Sequence, residues 1–151
     1  MSPDQPQAPS ASPPTVLVVD DNRDMVEILT RLLTRQGLHA LHAYSGQECL
    51  DVVRTHAVDV IVLDVMMPGM DGLEVCKALK AMTTPPPVIL LTAKDDMATR
   101  AAGMALGVSE FVVKPINNRD LLARIQTQLS TRQWEREIDR TSATMGPNGK
   151  A

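Results

Sequence analysis

The 151-residue chain has few aromatic residues and few cysteines, and it has no long apolar run. Aromatic residues make up 2% of the sequence, so the core has to consist of aliphatic side chains and methionine. Cys49 and Cys76 lack the spacing of metal ligands, and we interpret them as reduced core thiols. No apolar run approaches the ~20 residues that cross a bilayer, and the N-terminus lacks the pattern of a secretory signal. These absences predict a cytoplasmic protein without a membrane-spanning segment.

Charge of one sign is also scarce, because the formal net charge is only −3. This value predicts no direct binding of nucleic acid and no electrostatic attraction to an anionic membrane. The sequence contains neither a phosphate-binding GxxxxGKS or GxxxxGKT loop nor a dinucleotide-binding GxGxxG motif. A nucleotide-binding enzyme is therefore disfavoured.

Composition divides the chain into three parts. Residues 1–14 are rich in proline, serine and glutamine, and we predict a disordered tail. Residues 15–130 carry the regular apolar pattern of one domain with one core. Residues 131–151 are predicted to be a helical extension or linker that is partly disordered.

Within residues 15–130, short apolar runs alternate with stretches of helical period, which predicts a parallel sheet with crossover helices. The predicted strands cover residues 15–20, 38–44, 58–64, 88–92 and 110–114. The predicted helices cover residues 24–36, 46–55, 72–82 and 96–106, and a last helix begins near residue 119. Right-handed crossovers then place helices on both faces of a doubly wound α/β sheet.

Two local patterns refine the helices. Ser45 and Glu48 have the spacing of a capping box at the start of the second helix. The first helix is predicted to turn one apolar face to the core, formed by Met25, Ile28, Leu29, Leu32 and Leu33.

Polar side chains follow four of the five predicted strands. Asp20 and Asp21 end the first strand and Asp64 ends the third, while Thr92 and Lys114 end the fourth and fifth. Ligands of open α/β sheets bind beyond the carboxyl ends of the strands, so we expect these five side chains to converge. The sequence therefore predicts one site that contains three carboxylates, a hydroxyl and an ammonium group.

This set of groups suits phosphoryl transfer. Neighbouring carboxylates repel each other, which raises their pKa values unless a cation neutralises them, and oxygen ligands favour Mg²⁺, with Mn²⁺ or Ca²⁺ as substitutes. Asp64 ends the strand predicted to be central, and a carboxylate can act as a nucleophile that carries a phosphoryl group. Lys114 can neutralise phosphoryl oxygens and the Thr92 hydroxyl can bind one of them. Ala93 is small and leaves room for a phosphodonor.

Four motifs resemble those of the receiver domain of bacterial two-component response regulators: VLVVDDN, LDVMMPGMDGLEVCKALK, VILLTAKDD and EFVVKPI. The resemblance covers about residues 15–129. It implies a single flavodoxin-like domain with a five-stranded parallel sheet of order 2-1-3-4-5. It also implies a signalling switch, in which Asp64 accepts a phosphoryl group from a sensor histidine kinase or a histidine phosphotransfer protein.

The same resemblance implies roles for individual residues. Mg²⁺ would be held by Asp20, Asp21, Asp64 and the backbone carbonyl of Met66, and the phosphoryl group would contact Thr92 and Lys114. Modulating positions beside the phosphoryl group would be Met66, Ala93 and Lys94.

The response to phosphorylation is also implied by the family. Thr92 and the aromatic residue Phe111 would act as the switch, and the peptide bond before Pro115 would be cis. The switch would reshape the face formed by helix four, strand five and helix five, which would bind a partner or a second copy of the chain in a phosphorylation-dependent homodimer.

Two alternatives accompany this interpretation. A Mg²⁺-dependent phosphatase of the haloacid-dehalogenase type carries a second aspartate two residues after its nucleophile, where this chain has Met66. We therefore expect no enzyme beyond a phosphoacceptor that catalyses its own phosphorylation and dephosphorylation. The second alternative is a receiver segment of a longer regulator with an additional output domain.

Overall fold

The computed structural model describes residues 12–93 and 95–132. Strands in this part are β1 (Thr15–Val19), β2 (His39–Ala43), β3 (Val60–Asp64), β4 (Val88–Thr92) and β5 (Glu110–Val113). Helices are α1 (Arg23–Arg35), α2 (Gly46–Thr55), α3 (Gly72–Leu79) and α4 (Met97–Ala105), and α5 covers residues 118–132 up to the end of the described chain. The predictions for residues 1–11, Lys94 and residues 133–151 lie outside the described residues and stay predictions.

The described strands form one parallel sheet in the order β2-β1-β3-β4-β5, which confirms the predicted flavodoxin-like fold. Every residue of β3 and β4 is buried, as expected for strands covered by helices on both faces. In the register of the sheet, Asp64 lies beside Leu91 and Thr92 lies beside Val113. The polar ends of the central strands are therefore brought to one edge.

Side chains alternate between two hydrophobic cores, one on each face of the sheet. Leu17, Leu63 and Leu90 point to the face covered by α2 and α3, whereas Val16 and Val62 point to the face covered by α1 and α5. Both cysteines are free and buried in the first of these cores, as predicted. Burial raises the pKa of Cys49 to about 12 and that of Cys76 to about 11, which favours the neutral thiols.

Most element ends fall within two residues of their predicted positions, but two predictions are wrong. α3 ends at Leu79 instead of residue 82, because the chain tightens into turns before the proline run at residues 85–87. Ile28 does not face the core, since 55% of its surface is exposed. The buried residues of α1 are Val26, Leu29 and Leu33, so two residues of the predicted face are buried and Val26 joins them.

Capping also differs in detail from the prediction. The Ser45 side chain accepts the backbone N–H of Glu48, but the Glu48 carboxylate accepts the N–H of Tyr44 and not that of Ser45. A complete capping box lies at α3 instead, where Asp71 and Glu74 each accept the other's backbone N–H. This box defines the start of α3 directly after the loop that follows β3.

Candidate functional site

The acidic residues predicted from the sequence do converge at the carboxyl edge of the sheet. One ligand oxygen each from Asp20, Asp21 and Asp64 lies within 4.8 Å of the other two. Asp20 and Asp64 are 3% and 2% exposed, whereas Asp21 is open to solvent. The site therefore has two buried carboxylates and a third at its mouth.

The turn between β1 and α1 holds this arrangement in place. The backbone N–H of Asp20 donates to the Ala43 carbonyl at 3.2 Å, and its side chain accepts the N–H of Asn22 at 3.0 Å. Asn22 in turn caps α1 by accepting the N–H of Met25. Because the strand end and the helix start are both anchored, Asp21 is held between them, where it is exposed to solvent and still keeps one carboxylate oxygen within 4.8 Å of Asp20 and Asp64.

Lys114 reaches the same site from β5. Its Nζ lies 2.6 Å from Oδ1 of Asp64, and its side chain is 37% exposed. The Lys114 backbone N–H donates to the Thr92 carbonyl at 2.9 Å, which ties the end of β5 to the end of β4. The Lys114–Pro115 peptide bond is cis.

The Thr92 hydroxyl is buried at this edge and has no hydrogen-bond partner in the described part of the chain. Thr92 is 1% exposed, and its Oγ1 has no hydrogen-bond partner among the residues that the structure describes. A buried hydroxyl without a partner costs about 1 to 3 kcal/mol, so such a group is uncommon in a folded protein. The arrangement suits a site that gains an additional acceptor oxygen.

Electrostatics at the site follow mainly from burial. Burial raises the pKa of the Asp20 carboxyl to about 6, the Asn22 N–H opposes this shift, and the nearby Asp64 adds to it. Burial also raises the pKa of Asp64, and the Lys114 ammonium group offsets part of that shift. Repulsion between the carboxylates, which the sequence predicts as the cause of raised pKa values, contributes less here than removal from water.

Gly72 contributes to the site in a way that sequence reasoning missed. A Cβ at this position would lie 2.7 Å from the carbonyl oxygen of Asp64 and 2.8 Å from Cα of Val65. The backbone of α3 at Gly72 therefore packs directly against the backbone of Asp64 and Val65. A glycine immediately after a helix-capping aspartate, here Asp71, was the available signal.

The remaining predicted residues lie around this centre. Met66 lies two residues after Asp64, and 68% of its surface is exposed. Ala93, directly after Thr92, is exposed as well. Phe111 is half-buried, and its ring packs against Gly103 of α4 and against the hydrophobic core that contains Leu90. Lys94 is not described.

The donor set fits a hard divalent cation. Three carboxylates with converging oxygens and no thiol or imidazole among them suit Mg²⁺ or Mn²⁺. The raised pKa values of Asp20 and Asp64 show that the site disfavours its own negative charge, which a cation would relieve.

A doubly wound sheet of this order, with acidic residues and a lysine at its carboxyl edge, defines the class of CheY-like receiver domains. Residues 16–126 match the family model described as the response regulator receiver domain. The chain therefore belongs to the response regulator receiver family, as the sequence motifs predicted.

Individual relatives agree with this assignment. The chain is 39% identical over 139 residues to response regulator MprA of Mycobacterium sp. (strain KMS), a match that covers 92% of this chain and 56% of that protein. It is 39% identical to the transcriptional regulatory protein AfsQ1 of Streptomyces coelicolor, covering 91% of this chain and 64% of that protein. The chain thus spans little more than half the length of these curated relatives.

Solved structures give the same result. The chemotaxis protein CheY4 of Vibrio cholerae superposes with a TM-score of 0.73 at 31% identity, covering 78% of this chain and 99% of that one. The receiver domain of the Francisella response regulator 1452 superposes with a TM-score of 0.73 at 30% identity, covering 78% of this chain and 98% of that one.

Among the described residues, no helix is long and apolar enough to cross a membrane.

Proposed function

We propose that this response regulator receiver domain accepts a phosphoryl group on Asp64 with the help of Mg²⁺. The observation that carries the proposal is the position of Asp64, which is buried between the carboxylate cluster and the Lys114 ammonium group at 2.6 Å. A structural ion pair alone does not explain why two more carboxylates and an unpartnered hydroxyl lie at the same place.

The described side chains suggest how the transfer proceeds. Oδ1 of Asp64 is paired with Lys114, which leaves Oδ2 to attack the phosphorus atom. A P–O bond to Asp64 forms while the bond from phosphorus to the donor nitrogen breaks, and the donor histidine leaves with the electron pair. Lys114 then neutralises a phosphoryl oxygen and the Thr92 hydroxyl donates to another. When bound by Asp20, Asp21, Asp64 and the Met66 carbonyl, Mg²⁺ supplies further neutralisation of negative charge.

Family membership supports a sensor histidine kinase, or a histidine phosphotransfer protein, as the partner in the cytoplasm. We propose that phosphorylation alters the face formed by α4, β5 and α5, which then binds a target or a second copy of the chain. On this face Arg124 links β5 to α5, since it pairs with Glu110 at 2.7 Å and with Asp120 at 3.2 Å. We propose no direct contact of this domain with nucleic acid or a membrane, because the net charge of the chain is −3.

The test uses the full chain with Mg²⁺ and acetyl phosphate, followed by intact mass measurement. We expect the mass to rise by one phosphoryl group in the wild type, and not in Asp64→Asn or after chelation of the metal. Asp51→Asn is the matched control, because it removes an exposed carboxylate from α2 and should leave labelling unchanged. Labelling of Asp64→Asn to the same extent would overturn the proposal.

A phosphatase with an aspartyl-phosphate intermediate is the competing function. Such an enzyme needs a proton donor near its nucleophile, and the thioether of Met66 cannot supply a proton. We therefore propose that the chain turns over only its own phosphoryl group. Hydrolysis of simple phosphate monoesters by the purified protein, lost in Asp64→Asn, would favour the phosphatase instead.

A further inference from the structure

The buried contact between helix α4 and the sheet is made at Gly103. Within α4, every residue of which the structure describes, Gly103 is the only buried one. A Cβ at Gly103 would stand 2.9 Å from Cε1 and 3.1 Å from Cζ of Phe111, and 3.3 Å from Cδ2 of Leu90. The far end of the Phe111 ring thus occupies the space that any side chain at position 103 would need.

The ring also shares a sheet face with the Thr92 hydroxyl. Phe111 lies beside Leu90 in the register of β4 and β5, and Thr92 lies beside Val113 two residues further along. Because side chains alternate along a strand, Leu90, Thr92 and Phe111 point to the same face, which α4 covers. One row of side chains therefore leads from the site to the contact at Gly103.

The other contacts of α4 are less buried. Thr99, Arg100 and Ala102 are half-buried, and Lys80 at the end of α3 donates to the Ala105 carbonyl at 3.4 Å. Met97 and Met104 on its outer side are 67% and 69% exposed. A helix that buries so little surface moves at low free-energy cost, so its position depends strongly on the few contacts that it does make.

We propose that Gly103 is a positioning residue that couples the phosphoryl site to α4 by admitting the Phe111 ring. The inference rests on the proposed function of Asp64. The inference adds Gly103 to the switch of Thr92 and Phe111 that family membership implies. When the Thr92 hydroxyl turns toward a phosphoryl oxygen and the Phe111 ring adjusts, the contact of the ring with Gly103 makes α4 adjust with it. A side chain at position 103 would separate the ring from α4 and so uncouple the two ends of the row.

The test compares Gly103→Ala, Phe111→Leu and the double variant with the wild type. Leucine lacks the atoms corresponding to Cε1 and Cζ, so it leaves room for the added methyl group. Hydrogen exchange of residues 97–105 is measured by mass spectrometry before and after labelling with Mg²⁺ and acetyl phosphate. Met104→Ala is the control on the exposed side of α4, and circular dichroism checks the fold of each variant.

We expect phosphorylation to change exchange in α4 of the wild type by about fivefold or more, the lower end of allosteric coupling. In Gly103→Ala, labelling of Asp64 should still reach completion, while the change in α4 falls below about twofold. The double variant should regain at least about half of the wild-type change on a logarithmic scale, and Met104→Ala should keep all of it.

Two results would overturn the inference: a full α4 response in Gly103→Ala, or no recovery in the double variant. If Gly103→Ala does not fold, Phe111→Leu alone decides, because loss of the ring end should also weaken the response and a full response would refute the coupling. Failure of the wild type to become labelled would instead refute the proposed function, so the two failures are distinguishable.

Discussion

The two sides of the site are packed very differently. On the acidic side, all five residues of β3 are buried and α1 buries Val26, Leu29 and Leu33. On the α4 side, the described residues of α4 and β5 include only Gly103 and Val112 as buried ones. The carboxylates that would bind the metal are thus held by well-packed elements, whereas the helix that would respond makes few buried contacts. Elements that move are drawn from the least stable parts of a fold, which gives the difference a functional reason.

The largest expected effect tests this contrast in stability. Leu63→Ala removes a completely buried side chain from β3 and should lower the free energy of unfolding by about 3 kcal/mol. Met104→Ala removes an exposed side chain from α4 and should change it by less than about 0.5 kcal/mol. Urea denaturation of both variants measures the two values. Similar losses in both would show that α4 is packed as firmly as the acidic side.

The acidic side should also make the metal-free protein sensitive to pH. The pKa of Asp20 rises from 3.8 to about 6 on folding, so between these values the folded protein binds more protons than the unfolded chain. The free energy of unfolding should therefore fall as the pH rises from about 4 to about 7, by about 2 kcal/mol. Thermal denaturation across this range measures the slope.

Two controls sharpen this prediction. Asp20→Asn should reduce the slope to the part contributed by Asp64, and it should keep the hydrogen bond from Asn22, because an amide oxygen can still accept it. Millimolar Mg²⁺ should raise the melting temperature at pH 7, where the carboxylates are charged, and much less in Asp20→Asn. A wild type whose stability increases steadily over the same pH range would contradict the buried-carboxylate explanation.

The smallest expected effect concerns the residue that joins the two sides. Thr92→Val replaces a buried hydroxyl without a described partner by a methyl group, and should stabilise the metal-free protein by about 1 kcal/mol. The variant should still accept a phosphoryl group on Asp64, but α4 should respond weakly, because the hydrogen bond to the phosphoryl oxygen is missing. Loss of stability in Thr92→Val would mean that the hydroxyl has a partner in solution.

Sequence reasoning was most successful where the chain itself carries the information. The apolar runs and the polar residues after them predicted the strands and the convergence of Asp20, Asp64, Thr92 and Lys114, whereas the order of the strands was implied by the resemblance to the receiver family. This worked because parallel strands of similar length end at one edge, so that position along the chain determines position in space. The last helix was predicted to begin near residue 119, and Asn117 caps it by accepting the N–H of Asp120 at 3.0 Å.

The contacts between helices and the sheet could not be predicted from the sequence pattern. The helical period predicted Ile28 in the core together with Leu29 and Leu33, but Ile28 is exposed and Val26 is buried with the two leucines instead. Likewise, the close approach of Gly72 to Asp64 and the Phe111 ring on Gly103 involve residues far apart in sequence or separated by a turn. Such contacts depend on how helices settle on the sheet, which no local pattern encodes.

The sequence by itself determined the alternation of strands and helices and the residue types that meet at the carboxyl edge, because these follow from periodicity and chain direction. Its motifs determined the family, and the family implied the order of the strands. Only the tertiary structure decided that Asp20 and Asp64 are buried while Asp21 is exposed, that Lys114 pairs with Asp64, and that α4 rests on Gly103. The physical reason is that burial, charge pairing and packing are properties of surfaces in contact, and those surfaces exist only once the elements have assembled.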